Sequence, residues 1–347
     1  MQPEGTPAGS AGAGPRSGGV AIEDIVGIKE QTIFEKLISS QAFWVTVALI
    51  VIIGVMCYLQ PAFASKANFY NVTRNFAFIG IMAIGMVAVI ITGGIDLSVG
   101  SIMGLVGVVC GVLLQAHFHW SVALTAGLLA GMFTGMINGA LIAYVGLSPF
   151  VVTLGMLSFA RSIAIVLSEN KMIYEFGPYG AVFKEMGGGA FLGLAHPVWV
   201  LIILTILASV ILKLTTWGRH LYSIGGNEQA ARLTGVPVDR VKLQAYVISG
   251  LTAAIAAVLI VGWQGSAINA LGTGYELRVI ASTVIGGANL MGGEGGAYGA
   301  FVGAALLEVI RNSLLMQGID SNWQGAFVGV FIVLAVLLEK IRGRRRA

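Results

Sequence analysis

Ten long apolar runs decide most of what this chain can become. They fall near residues 43–60, 75–93, 98–115, 121–145, 149–168, 197–214, 243–263, 276–290, 295–316 and 323–340. A helix needs about 20 apolar residues to cross the hydrocarbon core of a bilayer. In lipid every backbone polar group must be satisfied inside the span, which favours helices. The expected class is therefore all-α: a polytopic transmembrane helical bundle of about ten spans joined by Gly-rich turns.

Composition agrees. Hydrophobic residues make up 56 % of the 347, charged residues 10 %, and mean hydropathy is +0.87. Soluble domains carry about 25 % charge, so an ordinary soluble domain is excluded. The 49 glycines show no collagen-like period and suit close helix packing in a membrane. Cys57 and Cys110 both lie in apolar runs and do not suggest a disulfide framework. Residues 1–40 form an expected cytoplasmic N-terminal segment. Met1–Gly19 is rich in Gly, Ala, Pro and Ser and is expected to be disordered; Glu23–Ser40 has the pattern of a short amphipathic helix. No basic stretch leads directly into an apolar core, so a cleaved signal peptide is not expected. The transmembrane body would span 41–341, followed by a basic tail at 342–347.

Orientation follows from Lys and Arg in the loops. Lys29 and Lys36 precede the first run. Lys213, Arg219, Arg232, Arg240 and Lys242 crowd the central loop, and the tail carries Arg342, Arg344, Arg345 and Arg346. An even number of spans places all three on one side, which the positive-inside rule makes cytoplasmic. Lys66 and Arg74 fall on the other side as mild exceptions.

One long polar interruption, Trp217 to Lys242, contains its own start and stop signals. Asn227 is a good N-cap, and Glu228 and Gln229 suit the positive end of a helix dipole. Gly235 offers a left-handed C′ position, and Pro237 blocks continuation. A helix of about two turns is expected, too short to be stable alone. It must rest on something.

A weak internal repeat joins Thr92–Gly100 (TGGIDLSVG) to Ile285–Gly293 (IGGANLMGG). It pairs Asp96 with Asn289 and Gly100 with Gly293. Repeats are frequent in transporters, with substrate held between the halves. Asp96 is the most informative charge near the apolar runs. Asp96 or Ser98 can cap the third span, so a structural role is favoured over ion coupling. Glu308 and Arg311, spaced i, i+3, can pair on one helix face. Arg161 has no evident local partner and suits a water-filled cavity. Glu276 and Arg278 suit snorkelling at a span end. Trp263, Gln264 and Asn269 read as outer interface anchors. His117, His119, His196 and His220 lack metal-ligand spacing, and no metal site is expected. The phosphate loop, the nucleophile elbow and the zinc-protease helix are all missing. No enzyme reading survives.

Four motifs carry a resemblance: TGGIDLSVGS at 92–101, SPFVVTLGML at 148–157, GRHLYSIGGNEQAARLTGV at 218–236 and VIGGANLMGGEGG at 284–296. Together they resemble the permease subunits of bacterial ABC sugar importers, the group carrying ribose, xylose, arabinose, galactose or fructose. The likeness runs from about Phe43 to the C-terminus. It implies an inner-membrane channel, homodimeric or heterodimeric, working with a cytoplasmic ATP-binding subunit and a periplasmic sugar-binding protein. ATP and Mg would be bound by that partner, with no cofactor in this chain. Gly226, Asn227, Glu228, Ala231, Arg232 and Gly235 would belong to a cytoplasmic coupling helix that docks on the ATPase. Arg232, Glu228 and Gln229 would form the docking face, with Ala230 and Leu233 packed behind it. Gly93, Gly94, Asp96, Ser98, Gly100, Gly286, Gly287, Asn289 and Gly293 would form gating turns. A polyol, the furanosyl autoinducer or a branched-chain amino acid are alternative cargoes. An ion-coupled secondary transporter, with Asp96 binding a proton or cation, and a passive channel are alternative mechanisms.

Overall fold

The computed structural model describes residues 38–320 together with 323, 325, 326, 329 and 330. The expected amphipathic N-terminal helix, the tenth span at 323–340 and the basic tail lie wholly or largely outside the described residues. The chain divides into two compact units, Met1–Ser39 and Ser40–Ala347, and the second is described here.

Within residues 41–316 of the described chain, twelve α-helices follow in order: α1 (Gln41–Leu59), α2 (Lys66–Ile91), α3 (Val99–Gln115), α4 (Trp120–Ala143), α5 (Pro149–Leu167), α6 (Gly180–Gly188), α7 (His196–Leu214), α8 (Thr216–Gly226), α9 (Glu228–Leu233), α10 (Val238–Gln264), α11 (Tyr275–Ile285) and α12 (Ala297–Met316). A two-residue hairpin, β1 (Ala190–Phe191) and β2 (Leu194–Ala195), separates α6 from α7. Seven of these helices, α1, α2, α4, α5, α7, α10 and α12, are long and apolar enough to cross a membrane. α3 is apolar but has 17 residues.

Burial sorts the long helices into an inner and an outer set. In α2 the apolar window is 89 % buried, and in α1 only 6 %. An apolar helix that neighbouring helices leave uncovered needs lipid to cover it. Trp44, Ile50, Val51 and Tyr58 on α1, and Ile203, Ile206 and Leu207 on α7, form such faces. The core is built by α2, α3 and α10, with Phe78, Ile81, Met82, Met86, Ile102, Met103 and Tyr246 all fully buried.

Small residues set the most extensive helix contact, α4 against α10. Gly131, Gly135 and Gly139 repeat at every fourth position of α4 and face Gly250, Tyr246 and Leu243 of α10, where a Cβ would strike backbone. Backbones this close gain dispersion contacts that larger side chains would block.

The eighth expected span departs most from expectation. Residues 276–290 hold one helix, α11, of only 11 residues, about 16 Å long at 1.5 Å per residue. That covers about half of a hydrocarbon core of about 30 Å. Gly274 (φ +79°) precedes it and Gly286 ends it. Before it, residues 265–274 are non-helical and run beside α3. Ala267 lies by Gly111, Leu271 by Gly107 and Gly104, and Gly272 by Gly100. These four glycines form one face of α3, so irregular chain fits where a full helix does not.

Candidate functional site

The polar interruption folds into three parts: α8, α9 and the start of α10. Asn227 is extended (φ −160°), and its Oδ1 accepts from the Ala230 amide at 2.9 Å, as its position predicts. Gly235 takes φ +85°, and the Val236 amide donates back to the Ala231 carbonyl at 3.0 Å. Carbonyls left open at the end of α9 are thereby satisfied.

Arg232 and Glu228, two residues of the expected docking face, also make contacts within the chain. Arg232 grips Asp239 with both terminal nitrogens, Nη1 to Oδ2 at 3.0 Å and Nη2 to Oδ1 at 2.6 Å. Its Nη2 lies 3.6 Å from Glu228, and Glu228 also accepts from Lys242. The hydrogen bond and charge of Asp239, with Glu228 adding to them, hold the Arg232 guanidinium above its ordinary pKa. Arg232 and Glu228 therefore tie α9 to α10. Ala231 is the residue packed inward, whereas Ala230 is exposed and Leu233 is 89 % exposed. The exposed residues are Gly226, Asn227, Gln229, Ala230, Arg232 and Leu233. Sequence spacing placed Leu233 on the packed side because it could not show which face α10 would occupy.

α8 meets both Gly-rich turns. At Gly225 a Cβ would collide with the carbonyl of Ile91 and the amide of Gly293. The Gly293 amide donates to the Ile91 carbonyl at 2.9 Å, and Gly292 (φ +93°) faces Gly225. Tyr222 donates its hydroxyl to the Gly295 carbonyl at 2.8 Å. The two turns and the end of α8 thus form one junction of backbone against backbone.

The turns share a local design. The Gly93 amide donates to Ile90 and that of Gly94 to Val89; the Gly287 amide donates to Val284 and that of Ala288 to Thr283. Gly93 (φ +77°) and Gly287 (φ +104°) are equivalent, one residue out of step with the sequence pairing. Next, the Ser98 amide donates to Asp96 Oδ1 at 2.9 Å, and the Met291 amide to Asn289 Oδ1 at 2.7 Å. The pairing of Gly100 with Gly293 does not hold in space. Gly100 lies inside α3 against Gly272, Gly293 (φ +79°) lies in a turn, and Gly286 ends α11 against Gly299.

Asp96 is fully buried and its carboxylate is satisfied by hydroxyls. Ser98 Oγ donates to Oδ1 at 2.6 Å and Ser249 Oγ of α10 to Oδ2 at 2.8 Å. Asn138 of α4 donates to Ser98 Oγ at 2.9 Å. Ser98 precedes α3, but its hydroxyl is engaged by Asp96 and makes no cap bond. Elsewhere, Glu308 and Arg311 pair within α12 as their spacing predicts. Trp263 turns inward, stacked on Phe78 with Arg74 4.2 Å above its ring, which is more than an interface anchor requires. Among the described residues no group of His, Cys, Asp or Glu is arranged to hold a metal ion.

A helical membrane bundle with a braced polar segment meeting paired Gly-rich turns has relatives. Residues 68–336 match the family described as branched-chain amino acid transport system / permease component. The chain belongs to this family of ABC importer permeases. The ribose import permease protein of Escherichia coli is 36 % identical over 294 residues, covering 84 % of this chain and 92 % of that one. The autoinducer 2 import system permease protein of Photorhabdus luminescens is 34 % identical, covering 84 % and 87 %. The L-arabinose ABC transporter permease protein of Azospirillum brasilense is 30 % identical, covering 87 % and 88 %. A chain of an ABC transporter described as metal-chelate type, in an inward-facing conformation, shares the fold: TM-score 0.50, 16 % identity, 86 % of this chain and 98 % of that one. The permease is a multi-pass membrane protein, a transport component rather than an enzyme.

Proposed function

We propose that this permease moves a monosaccharide, a pentose or hexose, from a periplasmic binding protein across the inner membrane. Ten crossings, one of them shared by residues 265–274 and the half-length α11, place both termini in the cytoplasm, and two copies pair to enclose the path. ATP and Mg are bound by a cytoplasmic ATPase, which docks on α9. The observation that carries the mechanism is the junction at Gly225, where α8 touches both Gly-rich turns. A displacement of α8 has no slack to cross before it reaches the end of α2 and the 286–296 turn. ATP binding would move the coupling segment, the spans would rock about the two turns, and hydrolysis would reset them. This is alternating access by rigid bodies.

Sugar as cargo is supported by the relatives named for ribose and arabinose, and the family description favours a branched-chain amino acid as the second reading. Ion coupling is disfavoured, because both oxygens of Asp96 are already engaged by Ser98 and Ser249. The test is uptake in proteoliposomes holding the permease, its ATPase and its binding protein, with ribose, arabinose and leucine offered separately. ATP-dependent uptake of a sugar supports the proposal. Leucine uptake alone, or uptake driven by an ion gradient without ATP, defeats it.

A further inference from the structure

α11 is a short rod with something fixed at each end. Its C-terminal end runs into residues 286–296, whose Gly292 and Gly293 rest on Gly225 of α8. Its N-terminal end follows the non-helical residues 265–274 along the glycine face of α3. Irregular backbone inside a membrane bundle is tolerated only where protein covers it and its polar groups find partners. Part of that requirement falls on one side chain. Arg161 of α5 donates Nη1 to the carbonyls of Asn269 and Leu271, the latter at 2.8 Å, and its Nη2 lies 3.5 Å from the Gly100 carbonyl. Gly104 leaves room for the guanidinium, since a Cβ there would strike Nη1. At its far end the segment is tied by paired backbone bonds between Ala267 and Ile173, 2.7 and 3.0 Å. In place of the expected water-filled cavity, Arg161 meets backbone carbonyls, and those of Asn269 and Leu271 lie more than a hundred residues away in sequence.

We propose that Arg161 is a positioning residue for transport. It anchors residues 265–274 to α3 and α5, so that movement of the 286–296 turn, carried along α11, works against a fixed end. The transport half of this inference rests on the permease reading; the anchoring half rests on the hydrogen bonds alone. A guanidinium fork reaches several carbonyls at once, whereas a lysine ammonium acts from one point.

The experiment uses the full permease with its ATPase and binding protein, comparing Arg161, Arg161→Met and Arg161→Lys. Amide hydrogen exchange is followed in residues 265–274, and ATP hydrolysed is measured per sugar taken up. With Arg161→Met, exchange in 265–274 is expected to rise about tenfold while α2 and α10 stay protected. ATP consumed per sugar rises with it, and Arg161→Lys restores part of both. Arg161→Gln serves the same comparison if the methionine variant does not insert. Unchanged exchange overturns the anchor. Raised exchange with an unchanged ATP-to-sugar ratio overturns the transport role. Uptake by the unsubstituted complex without ATP counts against the permease reading, and the exchange result still decides the anchor.

Discussion

The amide of Gly293 donates to the carbonyl of Ile91 at 2.9 Å, and Gly225 lies directly against both groups. This contact joins the C-terminal end of α2, the turn after α11 and the end of α8. Neither hydrogen-bonding partner is a side chain, so a substitution at Gly225 cannot be absorbed by a rotamer change.

Gly225→Ala therefore forces backbone apart, whereas Gly54→Ala, on the exposed α1, enters open space. We expect Gly225→Ala to lower ATP-driven uptake at least about tenfold, equivalent to about 1.4 kcal/mol. Gly54→Ala should stay near the unsubstituted rate. Uptake in proteoliposomes checks this, and equal rates for the two variants would remove the junction from the mechanism.

The ion cluster under α9 gives a second expectation. Arg232→Glu opposes Asp239 and Glu228, and Asp239→Arg in the same chain restores an attractive pair. Exposed ion pairs contribute little, so the whole fold should not unfold. Residues 227–242 should lose hydrogen-exchange protection in the single variant and regain it in the double. The shift on Arg232 is upward, so its charge is present throughout physiological pH and is lost only as pH rises through its folded pKa. Mild alkali should leave the segment ordered.

Asp96→Ala strips Ser98 and Ser249 of their shared acceptor. Each buried unsatisfied group costs about 1–3 kcal/mol, so melting of the detergent-solubilised permease should fall by several degrees. Ser249→Ala should cost less, and the two substitutions should be non-additive. The ATP requirement for uptake should be unchanged in Asp96→Asn; a switch to ion dependence would contradict the structural role of Asp96.

Features whose causes are local were legible in the sequence. Asn227, Gly235 and Pro237 delimit α9 because a cap is written within a few residues. Glu308 and Arg311 pair because one helix turn separates them. The Asx turn at Asp96 and its counterpart at Asn289 follow from the same short motif. What depended on distant chain was not legible. Apolar content at 276–290 is the same whether the chain crosses fully or, as α11 does, about half way. The glycines of α3 show their purpose only once residues 267–272 lie on them. Leu233 faces outward, against the expected packing, because Asp239 and Lys242, which fix the roll of α9, lie beyond the segment itself.

The central claim is that a separate ATPase moves this permease by bearing on the exposed face of α9. A photo-crosslinking residue at Leu233, 89 % exposed, tests it most directly, with Phe118, 50 % exposed at the other end of α3, as control. In the assembled complex, position 233 should crosslink to the ATPase chain and position 118 should not. A complex that imports sugar with ATP yet gives no ATPase adduct from position 233 would contradict the claim.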